Sequence, residues 1–232
     1  MPQPENEKPH LSALKFGVKL SPVIACDQAL MEVDFMKASN LDLIACARKV
    51  VAGESDEDLE KHIVHREDIL DNVQREVTEF LGKIMVKRVP TSVAERARRL
   101  LRMSDELESV SDEAATILKV TRRLRKGGQA FSDSSLRVLL DMHDRTASFA
   151  QEVSSLLKSP RPPIDLARLQ SKSQELHDLV RTSRQRQLNR IGPDDPNSPI
   201  RVLVELDIIN AYERVRAYYL NIAETLAGGK GS

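Results

Sequence analysis

The chain of 232 residues carries 35 basic and 35 acidic side chains, so its formal net charge at pH 7 is zero and gives no general attraction to nucleic acid or to an anionic membrane. Hydrophobic residues make up 41% and charged residues 30%, which is typical of a folded protein and excludes a largely disordered one. Aromatic residues account for only 3% and there are 9 glycines, which argues against an all-β fold.

Capping and turn residues divide the chain into six predicted helices, five of which are expected to begin at a serine. At Ser21 and Ser198 a proline follows at the first helical position, and Ser92 with Glu95 has the pattern of a capping box. Helices of about 25 to 35 residues leave no room for a sheet, so an all-α fold is predicted. The predicted helices run from Ser21 to about Val51, from Ser55 to about Arg88, from Ser92 to Gly127, from Ser132 to Leu157, from the proline-rich linker at 159–163 to about Ile191, and from Ser198 to Ala227.

The third and sixth predicted helices carry the same pattern when the sequence is shifted by 105 positions, which places Glu213 on Glu108. An apolar stripe coincides in the two helices, and so does a neighbouring polar stripe. Two matched stripes indicate duplication of a three-helix unit. The predicted organisation is an N-terminal tail at 1–20, a first three-helix bundle at 21–127, a second at 128–227 and a C-terminal tail at 228–232.

No apolar run reaches the roughly 18 residues that a membrane-spanning helix needs. The first ten residues are acidic and proline-rich, and they lack the basic start and apolar stretch of a signal peptide. We therefore expect a cytoplasmic protein with no membrane span in this chain.

Two Glu-x-x-x-Asp pairs are the strongest candidates for chemistry. Glu67 and Asp71 lie on the second predicted helix, and Glu108 and Asp112 lie on the third. A spacing of four places both carboxylates of a pair on one helical face, and two such pairs on neighbouring helices offer four hard oxygen ligands. Acidic pairs at this spacing are also common on solvated helices, so a surface-charge interpretation stays open.

The remaining residues give no support for catalysis. No Gly-x-Ser-x-Gly is present, and no glycine-rich loop opens a helix to bind phosphate. Cys26 and Cys46 lie about 30 Å apart on one predicted helix, too far for a disulfide, and we expect both to be buried, reduced thiols. His62 and His65 could place two imidazoles on a metal, but no Glu-x-x-His of a ferritin-like di-iron bundle occurs on a predicted helix. The His143–Asp144 dipeptide has no compelling set of further ligands, so we predict that it lies on the surface.

Arginine clusters occur near the start of the third predicted helix and near the ends of the third and fifth. Positive charge at a helix C-terminus is favourable in itself, because it meets the helix dipole. An anion or an acidic protein surface is the alternative ligand. Nucleic acid is not expected, since no aromatic residues that could stack on bases are interleaved with these arginines.

Three stretches of the sequence resemble PhoU-type domains. They are EKHIVHREDILDNVQREVTEFL at 60–81, DELESVSD at 105–112 and ERVRAYYLNIAE at 213–224. The second is similar to the family signature D-E-L-E-R-I-G-D, and the third to its second copy, E-R-I-x-D-x-x-x-N-I-A-E. The resemblance extends over roughly residues 20 to 226 and is closest to the domains that follow the membrane part of bacterial sodium/phosphate cotransporters.

The resemblance implies two antiparallel three-helix bundles related by pseudo-symmetry and a non-enzymatic, regulatory role in phosphate transport or signalling. The implied partner is the membrane domain of a phosphate transporter or a phosphate-signalling protein, at the inner face of the cell membrane. Some members of the family bind metal clusters, and the matching positions here are Glu67, Asp71, Glu108 and Asp112. The implied metal is divalent or trivalent: iron, manganese, magnesium or calcium. No other cofactor is expected.

The second half departs from the family pattern. Ala217 stands where the signature has aspartate, and the fifth helix offers only Gln174 and Asp178. We therefore expect any metal in the first half alone. Two alternatives from other classes stay open: a metal-dependent helical enzyme that uses the first-half carboxylates, and a structural bundle that forms a homo-oligomer.

Overall fold

The computed structural model describes residues 21–86, 88–157, 163–189 and 198–228. Over these ranges it contains six α-helices and no β-strand, which confirms the predicted all-α fold. The predicted N-terminal tail at 1–20, the linker at 159–162 and the loop at 192–197 lie outside the described residues, as does the C-terminal tail beyond residue 228. The helices are α1 (Pro22–Ala52), α2 (Glu57–Met85), α3 (Thr91–Lys126), α4 (Asp133–Ser155), α5 (Leu166–Leu188) and α6 (Ser198–Ala227).

The predicted helix ends are confirmed where glycine or serine has a direct role. α1 ends at Gly53, whose left-handed backbone (φ 81°) favours glycine, and the Ser132 side chain caps α4 by accepting a hydrogen bond from a first-turn backbone N–H. The predicted start of α2 is wrong by one residue. Asp56, and not Ser55, caps this helix by accepting a hydrogen bond from the backbone N–H of Leu59.

Two further helix boundaries differ from the prediction. α3 begins at Thr91 directly after Pro90, so Ser92 lies inside the helix and the predicted capping box is wrong. α2 ends at Met85 rather than near Arg88, so its predicted end lies about three residues too far along the chain.

Helix contacts fall into two sets of three. α1, α2 and α3 contact one another, as do α4, α5 and α6, and the pairs α3–α6 and α1–α4 join the two sets. The buried hydrophobic side chains form one core that extends through both sets. The boundaries of the two bundles and their pseudo-symmetry remain predictions. None of the helices in the described ranges is both long and apolar enough to cross a membrane.

His143 is buried where α1, α4 and α6 meet, so its predicted surface position is wrong. Its side chain is only 2% exposed, and its Nδ1 lies 3.2 Å from the hydroxyl of Tyr212. Burial lowers the pKa of His143 to about 4. The imidazole is therefore neutral at neutral pH and acts as a polar member of the core.

An ion pair between α3 and α6 connects the two sets of helices. The Glu113 side chain is 8% exposed, and the Arg214 guanidinium donates hydrogen bonds to both of its carboxylate oxygens, with Nη2–Oε2 at 2.6 Å. Bidentate hydrogen bonds from arginine to a carboxylate are among the strong ones in proteins, and here they satisfy both oxygens of a nearly buried side chain.

Replacing Arg214 by alanine is expected to lower the free energy of unfolding by about 1–3 kcal/mol, because it leaves the Glu113 carboxylate buried without its donors. Urea denaturation would measure the loss. Arg145→Ala is a matched control, since its pair with Asp141 is more than half exposed on both sides (61% and 52%) and should contribute less than about 1 kcal/mol. Equal losses in the two variants would contradict a special role for the α3–α6 pair.

Candidate metal centre

Two neighbouring helices bring the predicted carboxylates together. Glu67 and Asp71 lie one turn apart on α2, and Asp112 faces them from α3. One oxygen of each of the three carboxylates can be chosen so that all lie within 4.8 Å of one another. Glu67 and Asp71 are half-buried and Asp112 is exposed, so the group lies at the rim of the helix interface. We call these three residues the carboxylate centre.

Glu108, the fourth predicted ligand, lies one turn before Asp112 on α3 and at the edge of this group. It is not among the three residues with the closest oxygens. Burial is the main cause that raises the pKa of Glu108, and the charges of Asp112 and Asp71 raise this pKa further. Glu108 therefore lies within electrostatic reach of both aspartates. The hydroxyl of Ser109 donates a hydrogen bond to its Oε2 at 3.3 Å.

The carboxylates of this group repel one another. Burial and then the charge of Asp71 raise the pKa of both Glu67 and Asp112. Within the described part of the chain, none of the four predicted ligands forms an ion pair with a basic side chain. A cation placed among them would relieve this repulsion.

Asp71 gives the clearest local sign that a partner is needed. Its Oδ1 atom is buried and has no hydrogen-bond partner among the described residues. Buried carboxylate oxygens are almost always satisfied by a donor or a cation, since leaving them unpaired costs free energy. An all-oxygen set suits magnesium, manganese, calcium or iron, so these residues fit the metals that the sequence resemblance implies.

The corresponding position in the second half holds a cation of the protein itself. Arg216 donates to both oxygens of Glu213, with Nη2–Oε1 at 2.8 Å and Nε–Oε2 at 3.0 Å. His177 Nδ1 lies 2.7 Å from Oε1, and Arg216 also donates to Ser173. Burial acts to raise the pKa of Glu213, but the hydrogen bonds from Arg216 and His177 lower it below its usual value. This carboxylate therefore needs no metal.

Sequence reasoning missed Arg216 and His177 as parts of this second-half site. An arginine three residues after Glu213 is visible in the sequence, since this spacing places both side chains on one helical face. His177 comes from α5, and its contact with α6 depends on how the two helices pack. Gln174 and Asp178, which the sequence offered as weak ligands, contact each other at 3.4 Å.

The two cysteines are confirmed as free and buried. Burial raises the pKa of both thiols, so neither has the thiolate character of a nucleophile. The spacing of His62 and His65 left open a site with two imidazoles on one metal. In the structure His62 is turned towards Asp42 and Cys46 of α1.

Comparisons with known proteins identify a domain family for part of the chain. Residues 42–121 match the PhoU domain family, and this stretch includes the whole carboxylate centre and Glu108. No curated protein sequence matches the chain.

Two solved structures are similar in fold. The phosphate transport system regulatory protein PhoU from Streptococcus pneumoniae superposes with a TM-score of 0.71 and 15% identity over 89% of this chain and 95% of that one. PhoU from Pseudomonas aeruginosa superposes with a TM-score of 0.69 and 15% identity over 89% and 97%. The chain therefore has a PhoU-like six-helix fold, with a PhoU domain match centred on α2 and α3.

Proposed function

We propose that the chain is a non-enzymatic regulatory domain of phosphate transport or phosphate signalling. The observation that carries this proposal is the PhoU domain match at 42–121, which falls on the helices that hold the carboxylate centre. The PhoU-like fold supports it, as does the relative described as a phosphate transport system regulatory protein. Burial raises the pKa of both thiols, which disfavours a cysteine nucleophile.

In this proposal the domain regulates only when a hard metal ion is held by Glu67, Asp71 and Asp112, with Glu108 at the edge of the site. When bound, such an ion supplies positive charge that neutralises the repelling carboxylates. The protein's part is to hold ligands from α2 and α3 on one rim, so that binding ties the two helices together. The unpaired Oδ1 of Asp71 and the raised pKa values of its neighbours support this assignment.

The proposed partner is the membrane domain of a phosphate transporter, or a phosphate-signalling protein, at the cytoplasmic face of the membrane. The resemblance to domains of sodium/phosphate cotransporters favours the transporter. Co-purification of the chain with a phosphate transporter, lost when the carboxylate centre is neutralised, would support this partner. Recovery with a phosphate-signalling protein instead would identify the other one.

A phosphate-uptake assay tests the function directly. We expect deletion of the gene to change phosphate uptake, wild-type protein to restore it, and the double variant Asp71→Asn, Asp112→Asn to behave like the deletion. Glu95→Gln is the matched control, because Glu95 is an exposed acid on α3 outside the centre and should restore uptake fully.

Two outcomes would contradict the proposal. One is normal phosphate uptake in the deletion strain. The other is hydrolysis of phosphate esters by the purified protein that disappears in Asp112→Ala, which would favour the metal-dependent enzyme instead.

A further inference from the structure

A second cluster of metal-ligating side chains lies between α1 and α2. Asp42 and Cys46 are four residues apart on one face of α1, and His62 reaches them from α2. One ligand atom from each can be chosen so that the carboxylate oxygen, the sulfur and the imidazole nitrogen all lie within 4.8 Å of one another. His62 Nε2 and Asp42 Oδ2 are already 2.6 Å apart.

We propose that Asp42, Cys46 and His62 form a site for a zinc-class divalent ion, separate from the carboxylate centre. One thiolate, one imidazole and one carboxylate are the ligand types that bind zinc in proteins. Ligand atoms around a tetrahedral zinc are about 3.5 Å apart, given bond lengths of about 2.0 to 2.3 Å, so small side-chain shifts would complete the geometry.

The cluster combines a buried sulfur with two partly exposed side chains, so an ion could enter from solvent and then be held at the buried thiol. Cys46 is only 6% exposed, so its sulfur is closed to a bulky substrate and cannot act as a nucleophile on one. The side chains of Asp42 and His62 are 52% and 37% exposed, which gives an ion access from solvent and leaves room for water as a fourth ligand.

Charge also balances at this site. Binding releases the Cys46 proton to solvent, and the resulting thiolate and the Asp42 carboxylate together offset the two positive charges of the ion. The neutral imidazole of His62 supplies the third bond, and the present hydrogen bond between Asp42 and His62 gives way to two bonds to the metal.

Ligand chemistry separates the two sites, although both use α2. His62 and Glu67 are five residues apart, a rise of about 7.5 Å along the helix. The carboxylate centre has only hard oxygen ligands, whereas the new site has a soft sulfur that magnesium and calcium avoid. The protein would therefore hold two different classes of metal ion.

Cobalt(II) is the probe that tests the new site, because only a cobalt–thiolate bond gives an intense charge-transfer band in the near ultraviolet. Titration of the reduced, metal-free chain should give a saturating band that zinc removes. Cys46→Ser and His62→Asn should lose the band or bind cobalt at least about tenfold more weakly. His62 is partly exposed, so its variant should fold normally, as circular dichroism would verify.

Two matched controls make the result specific. Cys26→Ser changes the other buried cysteine of α1, and Asp71→Asn changes the carboxylate centre, and both should retain the band. The proposal is overturned if wild-type protein gives no band, if the band persists in Cys46→Ser, or if Cys26→Ser removes it equally. Because the signal requires sulfur, it is independent of whether the carboxylate centre binds metal.

Discussion

Acidification from pH 6.5 to pH 4 is expected to lower the free energy of unfolding by about 3 kcal/mol through His143 alone. Burial among apolar side chains disfavours the charged imidazolium and lowers the pKa of His143 from 6.5 to about 4, against the opposing effect of Asp144. A residue that is 2% exposed has little water to reduce this penalty, so the effect should be measurable in the whole protein.

Stability falls with falling pH because the folded and unfolded states bind a proton at His143 at different pH values. Above pH 6.5 His143 is neutral whether the chain is folded or unfolded, and it contributes no pH dependence. Between pH 6.5 and about 4 the unfolded chain binds a proton at this histidine and the folded protein does not, so stability falls as pH falls. Below about pH 4 both states are protonated and the loss is complete.

Urea denaturation at a series of pH values checks this, with the result expressed as the difference between wild type and His143→Gln. The difference is needed because Glu67, Glu108 and Asp112, whose pKa values are raised, contribute in the opposite direction: their protonated forms favour folding as pH falls. Tyr212→Phe is the control, since it removes the phenol and leaves the imidazole buried. Identical pH profiles for wild type and His143→Gln would contradict the prediction.

The burial of His143 was within reach of sequence reasoning. Leu139, Met142, Thr146 and Phe149 are buried residues of α4 spaced three or four apart, and His143 falls on the same face. The His–Asp dipeptide is misleading because its two residues lie on different faces of α4. His143 faces the core, whereas Asp144 is half exposed and pairs with an arginine of α1. For this residue, the helical spacing of apolar positions predicts burial better than the residue type does.

The helices themselves were predictable because helix-ending residues and the spacing of apolar residues act within a short stretch of the chain. Gly53 and Pro90 determine helix boundaries through their own backbone preferences, whatever the rest of the fold does. Side-chain caps were less predictable, since Ser55 and Asp56 are adjacent and either could accept the first-turn hydrogen bond. Only the backbone geometry decides between them.

The candidate sites likewise have a part that spacing predicts and a part that depends on how the helices pack. The pairs at Glu67 and Asp71 and at Glu108 and Asp112 could be found from spacing within one helix. The packing of α3 on α2 could not be found in this way, because spacing within one helix says nothing about the helix that faces it. This packing places Asp112, and not Glu108, in the group of three with Glu67 and Asp71. The cluster of Asp42, Cys46 and His62 depends in the same way on how α1 packs on α2.

Thermal stability is expected to depend on hard metal ions through the carboxylate centre. A ligand that binds only the folded state at 100 times its dissociation constant stabilises by about 2.7 kcal/mol. For a chain of this length that corresponds to a rise in Tm of about 5 to 10 °C. Differential scanning fluorimetry of metal-free protein titrated with manganese, iron, magnesium and calcium would measure it.

Asp112→Asn should lower stability only when metal is present. In metal-free protein the substitution removes a charge whose pKa is raised by burial and by Asp71, so Tm should stay equal or rise. With metal present the variant lacks a ligand, so Tm should fall below that of wild type. A purely structural role for Asp112 would give the same sign in both conditions.

The second half supplies the contrasting control. Glu213→Ala should lower Tm with or without metal, since it leaves Arg216 and His177 without their shared carboxylate, but the rise produced by metal should be almost unchanged. Asp71→Ala and the double variant Glu108→Ala, Asp112→Ala should abolish that rise. Arg216 already neutralises Glu213, so this carboxylate leaves little charge for a cation to relieve. Loss of the metal response in Glu213→Ala as complete as in Asp71→Ala would therefore contradict a centre confined to the α2–α3 rim, and a wild-type Tm that ignores all four ions would contradict the centre itself.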